Sequence, residues 1–431
     1  MLCPNISYYF QYVKKVYTRP FVKELVGGIF TQGLLSVTNF VIGLAIARQA
    51  LKEEYGIYAI AFSTIMIASS IQNALVNSPL TVLLHEKDNK NQEILISSLG
   101  MGQWLVFIPL LLLSGIALLL IRHYFGYYSL FQSLLILLVV IPILFMRDFI
   151  RVVNFCFLRI NRIIIMDLIF SLFTVCGIAI IYLFNKASSS NALLILAISY
   201  LASAILGHFL TKLKYELNLN WIKRIFKETW NISRWALLGI IAANIRQYGY
   251  VYIISIILTL KDTADLSASR LFLMPFGIFI SSSQRIFLSK GSKIRAENDF
   301  SKLKKFIVFF LLLFFVIWLI WVSILFLYSN FLIKTFLTMK YDNVNFYILI
   351  WSVVFLLTAI SFIISNALQV LKEFRLPAIF GNISALSLLI FCIILSKVHG
   401  AYGALISLCI AEIVYLTFGI PLLKKLLLSK K

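Results

Sequence analysis

Long apolar stretches recur along the whole chain, and each is long enough to cross a lipid bilayer as a helix. A spanning helix needs about 20 apolar residues, because the hydrocarbon core is about 30 Å thick. Lipid cannot satisfy exposed backbone groups, and these stretches are far longer than the strands of a membrane barrel. The sequence therefore predicts an all-α polytopic membrane protein. Its twelve predicted transmembrane helices lie at 24–47, 56–84, 94–121, 130–158, 163–184, 192–212, 234–260, 267–288, 303–329, 346–370, 377–396 and 401–423.

The composition excludes the soluble classes of protein. Of the 431 residues, 61% are hydrophobic and only 13% are charged, whereas about 25% of the residues of a soluble domain are charged. A cytosolic enzyme, a secreted domain and a disordered scaffold are therefore excluded. The net charge of +22 would indicate nucleic-acid binding in a soluble chain. Here it is interpreted as membrane topology, and we expect no nucleic-acid partner.

The basic residues are distributed very unevenly between the two sides of the predicted membrane. With the amino terminus in the cytoplasm, 29 of the 39 Lys and Arg residues lie on the cytoplasmic side and 8 on the other side. The remaining two, Arg246 and Arg270, fall inside spans. Cytoplasmic loops of membrane proteins are enriched in Lys and Arg. This distribution predicts that both termini are cytoplasmic.

A faint internal repeat divides the chain into two halves. Leu51-Lys52-Glu53 after the first span reappears as Leu260-Lys261-Asp262 after the seventh, and LRINR (158–162) is similar to LKEFR (371–375). Six spans per repeat give both halves the same orientation, so their pseudo-symmetry axis runs along the membrane normal. The predicted organisation is a cytoplasmic amphipathic segment at 1–23, six-helix bundles at 24–212 and 234–423, a cytoplasmic linker at 213–233, and a basic tail at 424–431.

Arg246 is the most informative residue, because it lies in the middle of the seventh span. A cation at this depth costs roughly 2.5–3.5 kcal/mol even on the lenient insertion scale, so it must face protein or water. Small and polar residues repeat along the neighbouring spans, which favours either close helix packing or a hydrated cleft. With Arg246 among them we favour a cleft for a large anionic cargo, since guanidinium groups bind phosphate oxygens in bidentate fashion. The polar stripes comprise Gly28, Gln32, Ser36, Asn39 and Gly43; Ser63, Ser70, Asn73 and Asn77; Gly239, Ala242, Ala243, Arg246 and Tyr250; and Arg270, Gly277, Ser281 and Gln284.

Further charged residues in the spans are candidates for coupling or gating. Glu412 is the only acid in the middle of a span, and it is either a protonatable coupling site or the counter-charge of a cation on another helix. Arg147, Asp148, Arg151 and Asp167 lie near the cytoplasmic ends of the fourth and fifth spans. They form either an ion cluster that gates the cytoplasmic side or a landing site for phosphate headgroups.

The sequence contains no recognisable catalytic or metal-binding motif. Its four histidines are scattered, its five cysteines form no C-x-x-C pair, and no phosphate-binding glycine loop occurs. Membrane glycosyltransferases place catalytic acids in the first outer loop, where this chain has Glu53 and Glu54, but the longest outer loop has only about sixteen residues. We therefore predict a protein that is not an enzyme and has no cofactor or metal.

Three stretches resemble the O-antigen-type flippases, the polysaccharide-transporter branch of the multidrug/oligosaccharidyl-lipid/polysaccharide exporter superfamily. ARQALKEEYGIYAIAF (47–62) is similar to the family signature that follows the first span. ADLSASRLFLMP (264–275) resembles the opening of the eighth span, with Asp265-Leu266-Ser267 where the family usually has Gly-x-[FY]. HGAYGALISLCIAEIV (399–414) resembles the start of the last span.

This resemblance implies two bundles that form a V-shaped central cationic cavity. It also implies movement of a polyprenyl-pyrophosphate-linked oligosaccharide from the inner to the outer leaflet of a bacterial plasma membrane. Arg246 and Arg270 would bind the pyrophosphate, and Gln32, Asn39, Asn73, Asn77, Tyr250 and Gln284 would complete the substrate site. The implied partners are membrane lipids, a coupling H⁺ or Na⁺, and polysaccharide polymerase and chain-length proteins. The alternatives are a multidrug-type cation antiporter of the same superfamily and a membrane glycan polymerase or ligase.

Overall fold

The computed structural model describes residues 19–120, 128–213, 215–337, 340–341, 343–373 and 375–429. These residues are almost entirely helical, and no β-strand occurs among them. In chain order the helices are α1 (Arg19–Gln49), α2 (Lys52–Glu86), α3 (Asn89–Leu120), α4 (Tyr128–Cys156), α5 (Ile160–Leu183), α6 (Ser189–Thr211), α7 (Leu219–Ile257), α8 (Leu260–Leu271), α9 (Met274–Ala296), α10 (Phe300–Leu327), α11 (Ser329–Phe336), α12 (Val344–Val370) and α13 (Arg375–Ser429).

These helices provide twelve membrane spans. Ten are long and apolar enough to cross a bilayer, and α8 with α9 adds an eleventh span as a bent pair. The twelfth arises from α13, since the backbone of Gly400 (φ 60°, ψ −142°) is not helical and divides this 55-residue helix in two. A positive φ of this kind is readily adopted only by glycine. The predicted all-α, twelve-span architecture is thus confirmed for the described part of the chain.

Several segments differ in detail from the sequence prediction. The predicted eighth span, 267–288, is broken into α8 and α9, which meet at an angle of 61°. Pro275 in the first turn of α9 has no N–H group, so the helix cannot continue unbroken through it. Residues 219–233 of the predicted linker form the first turns of α7. Residues 1–18 of the predicted amphipathic segment and residues 430–431 of the predicted tail lie outside the described residues.

Helix packing separates the chain into two bundles. In the first bundle α6 packs against α4 and α5, and α1 packs against α5. In the second, α13 packs against α7 and α12, and α9 and α10 pack against α12. The first part of α7 reaches across to the first bundle, where Glu228 forms an ion pair with Lys87 (Oε1–Nζ 2.5 Å). The α7 helix is therefore a continuous connection between the bundles.

The internal repeat is visible in the structure. The helices that follow the repeated Leu-Lys-acid motif, α2 and α8, pack directly against each other between the bundles. The two LRINR-type connections each contain a residue with positive φ, which is Leu158 (53°) at the first position of one motif and Lys372 (65°) at the second position of the other. Each connection thus contains a left-handed residue between two spans, shifted by one position.

The helix α2 contains a π-helical turn at Asn73–Asn77, bounded by two of the predicted site residues. Pro79 has no N–H group to donate to the carbonyl oxygen of Leu75, four residues earlier, so the regular hydrogen-bond ladder is interrupted there. Ser233 of α7 uses this free acceptor, since its hydroxyl donates to Leu75 O at 3.4 Å. The carbonyl oxygen of Leu75 in the first bundle thereby accepts a hydrogen bond from α7, which continues into the second bundle.

The polar stripe of α1 shows where the bundles separate. At one end of the stripe Gly43 is buried and faces Leu271 of α8. Along the same face Asn39 and Ser36 are partly exposed, and Gln32 is exposed. The bundles therefore touch at the end predicted to lie outside, and the middle of this face of α1 remains accessible.

The closest approach of the bundles is at Gly56 of α2. A Cβ atom at this position would overlap the backbone carbonyl group of Leu260, which begins α8 and cannot rotate away. We predict that Gly56→Ala lowers the free energy of unfolding by about 1–3 kcal/mol through overpacking. Thermal unfolding of the detergent-solubilised protein, followed by tryptophan fluorescence, measures the change.

Gly33→Ala is the matched control, because a Cβ atom at Gly33 of α1 meets nothing within 4 Å. It should leave the melting temperature unchanged or raise it slightly, since alanine favours helix over glycine. Equal melting temperatures for the two variants would contradict the tight α2–α8 contact.

Candidate functional site

Two ion pairs close the contact between α2 and α8. Lys52 Nζ lies 2.9 Å from Asp265 Oδ1, and Lys261 Nζ lies 3.1 Å from Glu53 Oε1. The two lysines occupy equivalent positions of the repeat, so the pairs connect the bundles in both directions. The side chains of Lys52 and Asp265 are only 13% and 7% exposed, whereas Lys261 is 60% exposed. The buried pair is the more consequential one, because water screens exposed pairs.

The segment 340–341 adds a third connection at the same end. The hydroxyl of Tyr341 donates to Ala47 O at the end of α1 (2.6 Å). The ammonium group of Lys340 donates to Arg48 O (3.0 Å) and also to Ala50 O. Carbonyl groups at the end of a helix have no intrahelical partner and carry partial negative charge, so they attract a cation. Residues of the second bundle thus cap the first helix of the other bundle.

Arg246, the central residue of the sequence prediction, forms an ion pair within the second bundle. Its Nη2 donates to Glu412 Oε2 at 2.6 Å, which joins α7 to α13. The guanidinium also lies over the ring of Tyr415, with Cζ 4.8 Å from the ring centroid. Arg246 remains 18% exposed, and its Nε atom has no hydrogen-bond partner among the described residues. The charge of Arg246 is therefore neutralised in this conformation, although one donor stays free.

Arg270, at the end of α8, has a different environment. Its guanidinium carbon lies 5.7, 5.9 and 5.5 Å from the ring centroids of Tyr248, Tyr250 and Trp351. Its Nη1 makes long hydrogen bonds to Gln247 O (3.3 Å) and Tyr250 Oη (3.4 Å), and its buried Nε has no partner. No carboxylate of the described residues lies within ion-pair distance. Arg270 is thus a cation that aromatic rings stabilise and no acid neutralises.

The predicted gating cluster lies inside the first bundle. Asp167 of α5 is fully buried and accepts hydrogen bonds from Arg147 Nη2 (2.5 Å) and Arg151 Nε (3.0 Å) of α4. Arg147 Nη1 also contacts Asp148 Oδ1 (3.0 Å), and the other carboxylate oxygen, Asp148 Oδ2, accepts from the hydroxyl of Ser69 of α2 (3.1 Å). Two arginines and two aspartates give no net charge. The cluster connects α2, α4 and α5 into one block, and its gating role stays a prediction.

The polar residues predicted to bind substrate are not all brought together. Gln32 and Asn73 are exposed, and Asn39 and Asn77 each have a buried Oδ1 without a hydrogen-bond partner among the described residues. Gln284 instead donates to Asn366 Oδ1 of α12 at 3.3 Å, inside the second bundle. Of this set, only Tyr250 contacts a predicted cationic residue, namely Arg270.

Several residues at the site escaped the sequence prediction. Tyr248 and Trp351 surround Arg270, but aromatic residues are so frequent in this chain that spacing does not single them out. Asp265 was noted only as a departure from the family pattern, yet it holds Lys52 across the bundles. Glu54, which follows Glu53 in the first outer loop, accepts a hydrogen bond from the backbone N–H of Ser189 (2.8 Å) and so caps α6.

Comparison with solved structures identifies the architecture. The chain is similar to a multidrug resistance MATE family transporter of the MOP superfamily in its inward-facing conformation, with a TM-score of 0.73, 14% identity and coverage of 92% of this chain and 95% of that one. It is also similar to the lipid II flippase MurJ in an inward closed conformation, with a TM-score of 0.70, 18% identity and coverage of 95% and 90%. The chain therefore shares the fold of these two proteins.

A third similar solved structure is a MOP superfamily transporter from Pyrococcus furiosus, with a TM-score of 0.64, 13% identity and coverage of 95% of this chain and 96% of that one. For that transporter, the reverse polarity of the binding pocket suggests a different function. No protein-family model and no curated protein sequence matches the chain. The shared fold agrees with the predicted two-bundle architecture, and it occurs both in a multidrug resistance MATE family transporter and in the lipid II flippase MurJ.

We predict that Asp265→Asn opens the end of the molecule at which Lys52 and Asp265 pair. The substitution removes the carboxylate that neutralises the largely buried ammonium group of Lys52, and breaking a buried ion pair costs several kcal/mol. A cysteine at Ser63, buried about eleven residues further along α2, reports the opening. In a variant without native cysteines, Asp265→Asn should raise its labelling rate by a membrane-impermeant maleimide at least about tenfold. Asp265→Glu should keep labelling slow, and an unchanged rate in Asp265→Asn would contradict closure by this pair.

We predict that Arg246 and Glu412 depend on each other for stability. Arg246→Ala or Glu412→Ala alone leaves an unpaired charge and should cost about 3–5 kcal/mol, whereas the double variant should lose less than the sum. Thermal unfolding of the four proteins in detergent gives the coupling free energy. Additive effects would show that the pair is not formed in the folded protein.

Proposed function

We propose that this protein is a flippase for lipid-linked oligosaccharides with an anionic pyrophosphate linkage, such as O-antigen- or capsule-type repeat units. The observation that carries the proposal is Arg270, a guanidinium within a membrane span that has no carboxylate partner. An unneutralised cation at such depth is costly unless an anion or water reaches it. A site of this charge favours an anionic cargo.

The cargo needs such a route, because a sugar pyrophosphate cannot cross about 30 Å of hydrocarbon unaided. In this proposal the headgroup enters the cleft while the polyprenyl tail stays in the bilayer. The free Oδ1 atoms of Asn39 and Asn77 and the exposed amides of Gln32 and Asn73 offer hydrogen bonds to sugar hydroxyls. Arg270 holds the pyrophosphate, with the rings of Tyr250 and Trp351 behind its guanidinium.

Arg246 takes a conditional role in the proposal. Its pairing with Glu412 leaves one free donor, Nε, for a phosphate oxygen. Protonation of Glu412, or cation binding to it, would release the full charge of Arg246 to the cargo. This gives a physical route by which a coupling H⁺ or Na⁺ alters affinity for an anion at the α7–α13 interface.

Alternating access then follows from the contacts at the predicted outer end. The pairs Lys52–Asp265 and Lys261–Glu53 hold that end closed while the cleft opens on the other side. Breaking these pairs would allow the bundles to rock about α2 and α8. We place the protein in a bacterial plasma membrane with both termini cytoplasmic, and the cargo moves to the outer leaflet, where polymerase and chain-length proteins would use it.

The alternative is a multidrug-type cation antiporter, which the MOP fold accommodates equally well. A cationic drug needs an available acid or an open aromatic box. Here Glu412 is occupied by Arg246, and the rings of Tyr248, Tyr250 and Trp351 are occupied by Arg270. These occupancies favour the flippase.

The test is a flipping assay in proteoliposomes with a fluorescent polyprenyl-pyrophosphate oligosaccharide, whose leaflet is reported by an impermeant quencher. Arg270→Gln should slow flipping about tenfold to a hundredfold, the range expected for loss of one charged hydrogen-bonding group. Arg270→Lys should be intermediate, since it keeps the charge and loses the planar fork.

Lys223→Gln on the exposed face of α7 is the charge-matched control and should flip at the wild-type rate. The same proteoliposomes are tested for uptake of a lipophilic cationic dye. Flipping that survives Arg270→Gln would remove Arg270 from the cargo site. Dye uptake that depends on Glu412, without any flipping by the wild type, would overturn the flippase in favour of the antiporter.

A further inference from the structure

A groove between α9 and α10 lies outside the proposed transport pathway. Its volume is about 530 Å³, within the range of about 300–1,000 Å³ that is common for small-molecule sites. The helix α10 packs against α9 and α12, both in the second bundle, so the groove opens on the periphery of that bundle. It is lined by Ile286, Lys290, Lys293, Ile294, Glu297, Lys302, Phe306, Phe309 and Phe310.

The lining residues are ordered along the groove from charged to apolar. On α9, Lys293 and Lys290 lie near the connection to α10, and Ile286 follows one turn deeper in the span. On α10, Lys302 lies in the first turn, Phe306 in the second, and Phe309 about 10 Å deeper than Lys302 at 1.5 Å per residue. Cations therefore sit at the level of the headgroups and apolar side chains at the level of the acyl chains.

The charge of the groove is positive. Lys302 Nζ contacts Glu297 Oε2 at 3.3 Å, which neutralises one ammonium group. Lys290 and Lys293 are exposed and have no ion-pair partner among the described residues. Below them the ring of Phe309 is 58% exposed, so it is accessible to an apolar ligand. Burial of an aromatic ring by such a ligand would be favourable in free energy. Two free ammonium groups above an aromatic surface match a phosphate headgroup with an acyl chain.

We propose that this groove binds one anionic phospholipid of the surrounding leaflet, with its phosphate on Lys290 and Lys293 and an acyl chain against Phe306 and Phe309. A zwitterionic lipid would bring its own cation to the lysines, so the charge of the groove selects a net negative headgroup. The helix α10 forms one wall of the groove and packs against α9 and α12 of the second bundle, so this position favours a bulk membrane lipid over the transported cargo. This inference does not depend on the proposed flippase activity.

Native mass spectrometry of the full-length protein tests the proposal, with micelles that contain equal amounts of phosphatidylglycerol and phosphatidylcholine. The wild type should retain one phosphatidylglycerol in preference to phosphatidylcholine. Lys290→Gln/Lys293→Gln should reduce this preference about thirtyfold, since each lysine near a membrane surface contributes about 1 kcal/mol toward an anionic lipid. The single variants should each lose about fivefold, and they keep the test usable if the double variant does not fold.

Lys223→Gln/Lys227→Gln is the matched control, because it removes two exposed lysines of α7 at the same predicted side of the membrane. It should retain the wild-type preference, and an equal loss in this variant would show a general charge effect and overturn the site. Unchanged preference in Lys290→Gln/Lys293→Gln would overturn it as well. A polyprenyl phosphate that displaces phosphatidylglycerol at equimolar concentration would assign the groove to the cargo lipid instead.

Discussion

The cost of placing a guanidinium group in a membrane bundle governs much of this structure. Each arginine inside a span requires a partner, and two different solutions occur. Arg147 is neutralised by Asp148 and Asp167, and Arg246 by Glu412. Arg270 instead rests among the rings of Tyr248, Tyr250 and Trp351 with two long hydrogen bonds. Among these three arginines, Arg270 is the one without a carboxylate partner among the described residues.

The cost of an unpaired charge in the membrane also explains how the bundles are held together. Small residues let helices approach closely, and at Gly56 the backbone of α8 occupies the space that a side chain would take. Polar groups around this contact then pair across the bundles, as Lys52 does with Asp265 and Tyr341 with Ala47. These contacts all lie at the end of the molecule that is predicted to be outside. The long helix α7 provides a further connection, since Glu228 pairs with Lys87 of the first bundle.

Much of the fold follows from local sequence. The apolar stretches predict the spans because length and hydropathy alone decide whether a helix fits the bilayer. The break between α8 and α9 was missed, although Pro275 marks it, since proline is tolerated in many membrane helices. In the candidate site, Arg246, Arg270 and Glu412 were predicted because charges in spans are rare. Gln284 belongs to the same polar periodicity as the others, but its contact is Asn366 inside the second bundle.

The sequence by itself determined the number of spans, the repeat and the few residues whose depth in the membrane demands a partner. Only the tertiary structure decided which partner each one takes. Depth along a helix says nothing about which way the helix is rotated or which neighbour it faces. Arg246 and Glu412 are separated by 166 residues and meet only because α7 packs against α13. Packing therefore left Arg270, and not Arg246, as the cation without a counter-charge.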